Sequence, residues 1–121
     1  MSSAATVHIA CLCAAWCRLC DDYAPVFEQV TGELAAAGGP LRCRWIDIED
    51  EADLVGDFEV ETFPTLVVAD ARHVRFAGPL TPQAGTLRRL LRTMLDAAPD
   101  TPWPAVAPEI EALAGRLRAL P

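Results

Sequence analysis

Two hydrophobic periods alternate along this chain. TVHIACLC, Thr6 to Cys13, is a run of β-branched and small apolar residues that predicts a buried strand. From about Arg18 to Ala37 the apolar positions change to helical spacing, with Leu19, Tyr23, Val26, Phe27, Val30 and Leu34 on one face. Pro25 lies inside that pattern and should kink the helix rather than end it, and Gly38 to Pro40 closes it. LRCRWIDI, Leu41 to Ile48, predicts a second strand. The acidic EDEADLVGDF predicts a short helix from about Glu51 to Phe58, with its acids at a solvated helix start. FPTLVVAD predicts a third strand beginning at Pro64, and HVRFAG a fourth. The short ADAR between them predicts an antiparallel hairpin. A helix then follows through TPQAGTLRRLLRTMLDAA, with Thr81 as the expected N-cap, Pro82 in the first turn, and Leu87, Leu90, Leu91, Met94 and Leu95 as its apolar face.

The resulting order, β-α-β-α-β-β-α, predicts an α/β fold with at least part of its sheet parallel or crossed over. After Ala98 the composition shifts. PDTPWPAVAP holds four prolines in ten residues and reads as an extended linker. EIEALAGRLRALP then places Ile110, Leu113, Ala114, Leu117 and Leu120 on one stripe of a final helix. The expected division is a domain over residues 1–98 and a linker plus helix over 99–121. Docking of that helix on its own domain, with Trp103 as an anchor, is preferred to a dimer or partner contact.

Composition adds bounds. The 121 residues are 52% hydrophobic and 22% charged, which suits one soluble domain with its own core. A net charge of −7, from 10 basic and 17 acidic residues, leaves no basic face for nucleic acid and disfavours anionic lipid. The first ten residues carry no Lys or Arg, and no apolar run approaches a membrane span, so the expected compartment is the cytoplasm. There, crowded cysteines more often serve catalysis or metal binding than structural disulfides. An odd count of five fits a fully paired framework poorly.

Four of those five cysteines lie in CLCAAWCRLC, Cys11 to Cys20. Cys17 and Cys20 are three apart, a spacing that on one helical turn lets the sulfurs meet. Cys17 stands where the helix starts, and the positive end of the dipole there favours thiolate. Arg18 adds a fixed positive charge, which Asp21 and Asp22 oppose from one turn on. Cys17 is thus the better placed attacker on a disulfide and Cys20, deeper in the helix, the better resolver. A zinc site from Cys11, Cys13, Cys17 and Cys20 competes with this reading. Against it, Cys11 and Cys13 lie on a strand and point to one face, into the core. There is no second C-x-x-C, and neither His8 nor His73 is near in sequence. No metal is expected, and Cys13 is read as core.

A C-x-x-C between a buried strand and a helix is a redox arrangement, and further residues make the likeness specific. AAWCRLCDDYAP resembles the active-site region of the thioredoxin family, with Trp16 before the first cysteine and Pro25 five residues after the second. WIDIEDEADLVGDFEVETFPTLVV resembles the next section of that family, ending in the threonine-flanked proline the family holds in cis. HVRFAG and the helix after it complete the pattern, with Gly78 in the family's glycine position. The likeness covers roughly residues 6 to 97. It implies a thioredoxin-like fold, a four-stranded mixed sheet flanked by helices, and thiol–disulfide exchange. It also implies roles: Cys17 as nucleophile, Cys20 as resolving thiol, Trp16 as a shield, Pro64 against the sulfurs, and the Phe63 backbone pairing with an extended substrate segment. The implied partners are a disulfide-containing protein and a reductase or dithiol donor, with no bound cofactor.

Three departures from the family matter. Arg18-Leu19 fills the motif where thioredoxins have Gly-Pro, so their strongly reducing potential is not assumed. Cys11 stands where the family has a buried Asp and, if WID is aligned correctly, Cys43 where it has a nearby Lys. Those two are read either as inert core thiols, the preferred reading, or as a second redox pair. Only about five residues precede the first strand, where thioredoxins have a further strand and helix. The competing function is a non-catalytic binding module that uses the groove beside Pro64.

Overall fold

The computed structural model describes residues 6–98 and 100–120. Its elements are β1 (Val7–Cys13), α1 (Arg18–Ala36), β2 (Leu41–Asp47), α2 (Ala52–Val55), β3 (Thr65–Ala69), β4 (Val74–Pro79), α3 (Ala84–Asp96) and α4 (Pro108–Ala119). The four strands form one mixed sheet in the order β2-β1-β3-β4. β1 runs parallel to β2 and antiparallel to β3, and β4 is antiparallel to β3. The fold is thioredoxin-like, with an added C-terminal helix.

The central strands explain the unbroken apolar runs. Every residue of β3 is buried, and so is every residue of β1 except His8. Both strands are covered on both faces, so neither alternates between apolar and polar. On one face, Val7, Ile9, Cys11 and Cys13 of β1 meet Tyr23, Phe27, Val30 and Leu34 of α1 and Leu87, Leu91 and Met94 of α3. On the other, Ala10 and Leu12 meet Val55 of α2 and Leu113, Ala114 and Leu117 of α4. α4 therefore lies on the sheet itself. Its Arg116 donates to the Leu54 and Val55 carbonyls at 2.8 and 3.1 Å, and Arg118 donates to the Asp70 carbonyl at 2.7 Å.

Several boundaries differ from those the sequence predicts. α3 starts at Ala84, with Gln83 as its N-cap. Thr81 instead accepts the Gln83 N–H at 2.8 Å in a tight turn before the helix. α2 is only one turn, because Gly56 leaves helical geometry at φ +63° and the Arg116 side chain covers it there. β3 begins at Thr65, one residue after Pro64, which has no N–H to give a ladder. Pro25 stays inside α1. That helix ends as Gly38 takes φ +95°, the Gly39 N–H returns to the Leu34 carbonyl at 2.9 Å and the Gly38 N–H to Ala35 at 3.0 Å.

Trp103 packs on the α1/α3 face, opposite to the face that α4 covers. The Arg75 guanidinium lies 5.1 Å from its ring centroid. Arg75 also pairs with Asp70 at 2.8 Å and donates to the Met94 carbonyl. So Trp103 anchors the proline-rich segment rather than α4.

Candidate active site

The site forms where β1 hands over to α1. β1 ends at Cys13, buried between sheet and helix. Ala15 and Trp16 turn the chain, and the Cys17 N–H bonds back to the Ala14 carbonyl at 3.0 Å. That turn leaves Cys17 as the N-cap of α1 in extended geometry, φ −91° and ψ 112°. Cys17 is half-buried, whereas Cys20 is buried, with 1% of its surface exposed. Arg18 opens the helix, exposed, and Asp21 and Asp22 are exposed one turn on.

The loop before β3 forms the facing wall. The Phe63–Pro64 bond is cis. Pro64 is buried, and its carbonyl accepts the Leu80 N–H at 3.3 Å. Phe63 meets Trp16 edge to face, with ring centroids 5.5 Å apart. Trp16 itself is 68% exposed, a large apolar surface in water beside Cys17. Gly78 lies on β4 opposite Leu66, and lines a cavity with Thr62, Thr65 and Ile110.

Beneath this surface Cys11, Cys13, Cys20 and Tyr23 share one buried cluster, and half-buried Cys17 packs against it. Burial, followed by the Cys13 thiol, pushes the Cys20 pKa up, against the Ala14 contact. The Cys13 and Cys11 sulfurs are 3.8 Å apart. The Cys11 thiol and then burial push the Cys13 pKa far up. Tyr23 sits at the same cluster, and its buried hydroxyl has no hydrogen-bond partner. Burial first, then Cys11 and Cys13, raise its pKa. Burial and neighbouring thiols thus favour the neutral form of Cys13 and Cys20.

The structure brings Cys17, Cys20, Trp16, Phe63 and Pro64 together, but not Cys11 and Cys43. In the parallel ladder Cys43 stands opposite Ile9, and Cys11 opposite Trp45. Such a two-residue offset between neighbouring strands separates Cα atoms by about 8 Å, beyond the disulfide range of about 7 Å. Cys43 is exposed on the edge strand β2, not core, and lines a cavity with Thr31 and Trp45. Among the described residues, no group of three His, Cys, Asp or Glu side chains is placed to hold a metal ion.

Sequence reasoning missed that Cys13 and Cys20 share one buried cluster. The signal was present: Cys11 and Cys13 share a strand face that points at the first turn of α1. Tyr23, one turn beyond Cys20, had no comparable signal, because an apolar helix position does not show whether a hydroxyl finds a partner.

The thioredoxin family model matches residues 2–85. The chain is similar to protein disulfide-isomerase of Oryctolagus cuniculus, 34% identical over 53 residues, which are 44% of this chain and 10% of that protein. It is also similar to sulfhydryl oxidase 1 of Rattus norvegicus, 29% identical over 104 residues, 81% of this chain and 14% of that protein. The matched regions are thus small parts of those curated relatives. Among solved structures, thioredoxin from Trypanosoma brucei brucei superposes with a TM-score of 0.64 at 20% identity, over 78% of this chain and 80% of the other. The germline-specific thioredoxin Deadhead of Drosophila melanogaster gives 0.63 at 13% identity, over 74% and 81%. At these identities the superpositions establish a shared fold.

Proposed function

Because the chain belongs to the thioredoxin family, we propose that it is a thiol–disulfide oxidoreductase in which Cys17 attacks a protein disulfide and Cys20 resolves the mixed disulfide. The observation that carries this reading is the pairing of a half-buried sulfur at a helix start with a buried sulfur one turn deeper, in the cluster the first packs against.

In the first step the Cys17 thiolate attacks one sulfur of the substrate disulfide. That S–S bond breaks, and the other substrate sulfur leaves and takes a proton. Cys20 then loses its proton and attacks the Cys17 sulfur. The second substrate sulfur leaves and is protonated. The substrate has gained two electrons and two protons, and the chain holds a Cys17–Cys20 disulfide. A reductase or another dithiol regenerates the thiols, and no bound cofactor is required. Arg18 puts a fixed positive charge next to Cys17 in the chain. Trp16, Phe63 and Pro64 form the wall along which an extended substrate segment lies, with the Phe63 backbone pairing to it and Gly78 nearby on β4. The setting is cytoplasmic, and the working unit is one chain, with residues 1–98 as the domain and the last helix docked on it.

One observation favours a second reading, a binding module at the groove beside Pro64. Cys11, buried in the cluster that holds Cys20, stands where the family has an acid. Titration in glutathione buffers with quantitative thiol labelling separates the two. A single two-electron transition below roughly −180 mV, lost in Cys17→Ser, is the expected result. No transition, or one that Cys17→Ser leaves in place, leaves the binding reading.

A further inference from the structure

We infer that the chain selects disulfide substrates with a lysine or arginine near the reacting cysteine, and that this basic side chain enters a cavity between the Pro64 loop and α4. The inference deepens the proposed exchange reaction and rests on it. The cavity measures about 280 Å³. Its apolar lining is Phe58, Val60, Ala77 and Ile110, half-buried side chains that pack on the core cluster between the sheet and α4. Glu59 and Glu61 line it as well, and both are exposed. Among the described residues neither carboxylate has an ion-pair partner, and no Lys, Arg or His lines the cavity. Arg116 of α4 is held instead by the Leu54 and Val55 carbonyls.

An apolar lining with two exposed carboxylates beside it complements one kind of side chain. Lysine and arginine carry an apolar stem and a charged head, so the stem covers Phe58, Val60 and Ile110 while the head meets Glu59 or Glu61. The head keeps water on its outer side, which avoids the desolvation cost of a fully buried pair. An acidic side chain meets two like charges instead, and an apolar one gains only the burial of its stem. Cavity and reacting thiol belong to one surface. Thr62 lines the cavity, and Phe63 beside it meets the ring of Trp16, which directly precedes Cys17. A substrate segment that pairs with the Phe63 backbone advances about 3.3 Å per residue, so a side chain a few positions from its cysteine arrives at the cavity. Ile110 belongs to the added helix, so the docking of α4 completes this site.

The test uses the full chain in its reduced form and peptides whose single cysteine is joined to thionitrobenzoate as a mixed disulfide. Exchange with Cys17 releases thionitrobenzoate thiolate, and its absorbance gives the rate. Peptides with lysine, serine or glutamate on both sides of the cysteine are compared at low ionic strength. Each rate is divided by that peptide's rate with dithiothreitol, which removes differences in the disulfide itself. The lysine peptide should react about fivefold faster than the serine peptide, the order expected of one partly exposed ion pair with a covered stem, and the glutamate peptide should be slowest. Glu59→Gln/Glu61→Gln should bring the lysine-to-serine ratio below about twofold. Asp96→Asn/Asp100→Asn removes the same charge from exposed positions outside the cavity and should leave the ratio in place, which separates the cavity from the general pull of a chain with net charge −7. Diaminobutyrate in place of lysine keeps the charge, shortens the stem and should halve the advantage. Equal normalised rates for all peptides, a ratio that Glu59→Gln/Glu61→Gln leaves or Asp96→Asn/Asp100→Asn abolishes, or no penalty for the short stem defeats this inference alone. Release that persists in Cys17→Ser defeats the functional reading. A cysteine-free lysine peptide then still decides the cavity: amide chemical-shift changes at Thr62, Gly78 and Ile110 support it, and their absence overturns it.

Discussion

Leu113→Ala removes the side chain at the centre of the contact between α4 and the sheet. Leu113 is fully buried, in one cluster with Ala10 and Leu12 of β1, Val67 and Ala69 of β3 and Val55 of α2. Losing three carbons' worth of burial costs about 2 kcal/mol in transfer free energy. The cavity left between two central strands and a helix raises the loss to about 3 kcal/mol, because strands held from both faces cannot collapse to fill it. A domain of this size has a total stability of roughly 6–18 kcal/mol, so the variant should still fold. With a urea slope of about 1.5 kcal/mol per molar, its midpoint should fall by about 2 M. Unfolding followed by far-UV circular dichroism measures this, with exposed Glu111→Ala as a control expected within about 0.5 kcal/mol. Because α4 docks within its own chain, the loss must be the same at protein concentrations tenfold apart. A loss under about 1 kcal/mol, or one that shrinks as concentration rises, would refute intramolecular docking.

Three further outcomes follow from other parts of the structure. Burial works against the Asp70 carboxylate, but the N–H groups of Arg72 and His73 and the Arg75 guanidinium hold its pKa below the usual range. A depressed folded pKa means that this stabilisation is full above the unfolded value near 3.8 and is lost as pH falls through the folded one, so Asp70→Asn should flatten the stability profile only below about pH 4, as acid titration of the melting temperature will show. Trp103→Ala should cost about 2 kcal/mol from lost burial and the Arg75 stacking, and a double-mutant cycle with Arg75→Met should give a coupling of about 1 kcal/mol in urea unfolding. Iodoacetamide at pH 8 should label Cys17 in the native chain while Cys13 and Cys20 react only after unfolding or at strongly alkaline pH, because burial and neighbouring thiols raise both pKa values; equal labelling of all three under native conditions contradicts the described packing.

The site was readable in the sequence to different depths. Spacing and position marked Cys17 and Cys20, because a helical turn fixes the distance between i and i+3 side chains whatever surrounds it. Trp16, Phe63 and Pro64 came from resemblance, since residues 47 positions apart meet only when the sheet brings their loops together. The linking of Cys11 with Cys43 rested on alignment. The strand register decides otherwise, since it places Ile9 and not Cys11 beside Cys43. Helix ends were the weakest local reading. Thr81 is a good capping residue by type, yet the tight turn from Thr81 to Gln83 delays the helix to Ala84. Gly56 shortens α2 because the Arg116 guanidinium arrives from a helix sixty residues away.

By itself, then, the sequence determined the order of strands and helices, the buried first strand, and a dithiol at a helix start. These are set by short-range periodicity and spacing, which act before any distant segment arrives. Only the tertiary structure decided which face α4 covers, that Trp103 holds the linker against the opposite face, and that Cys13 and Cys20 share one buried cluster while Cys43 stays at an exposed edge. Those outcomes depend on which distant apolar surfaces close on each other and in what register, and a thiol's proton affinity follows from that burial, not from its place in the chain.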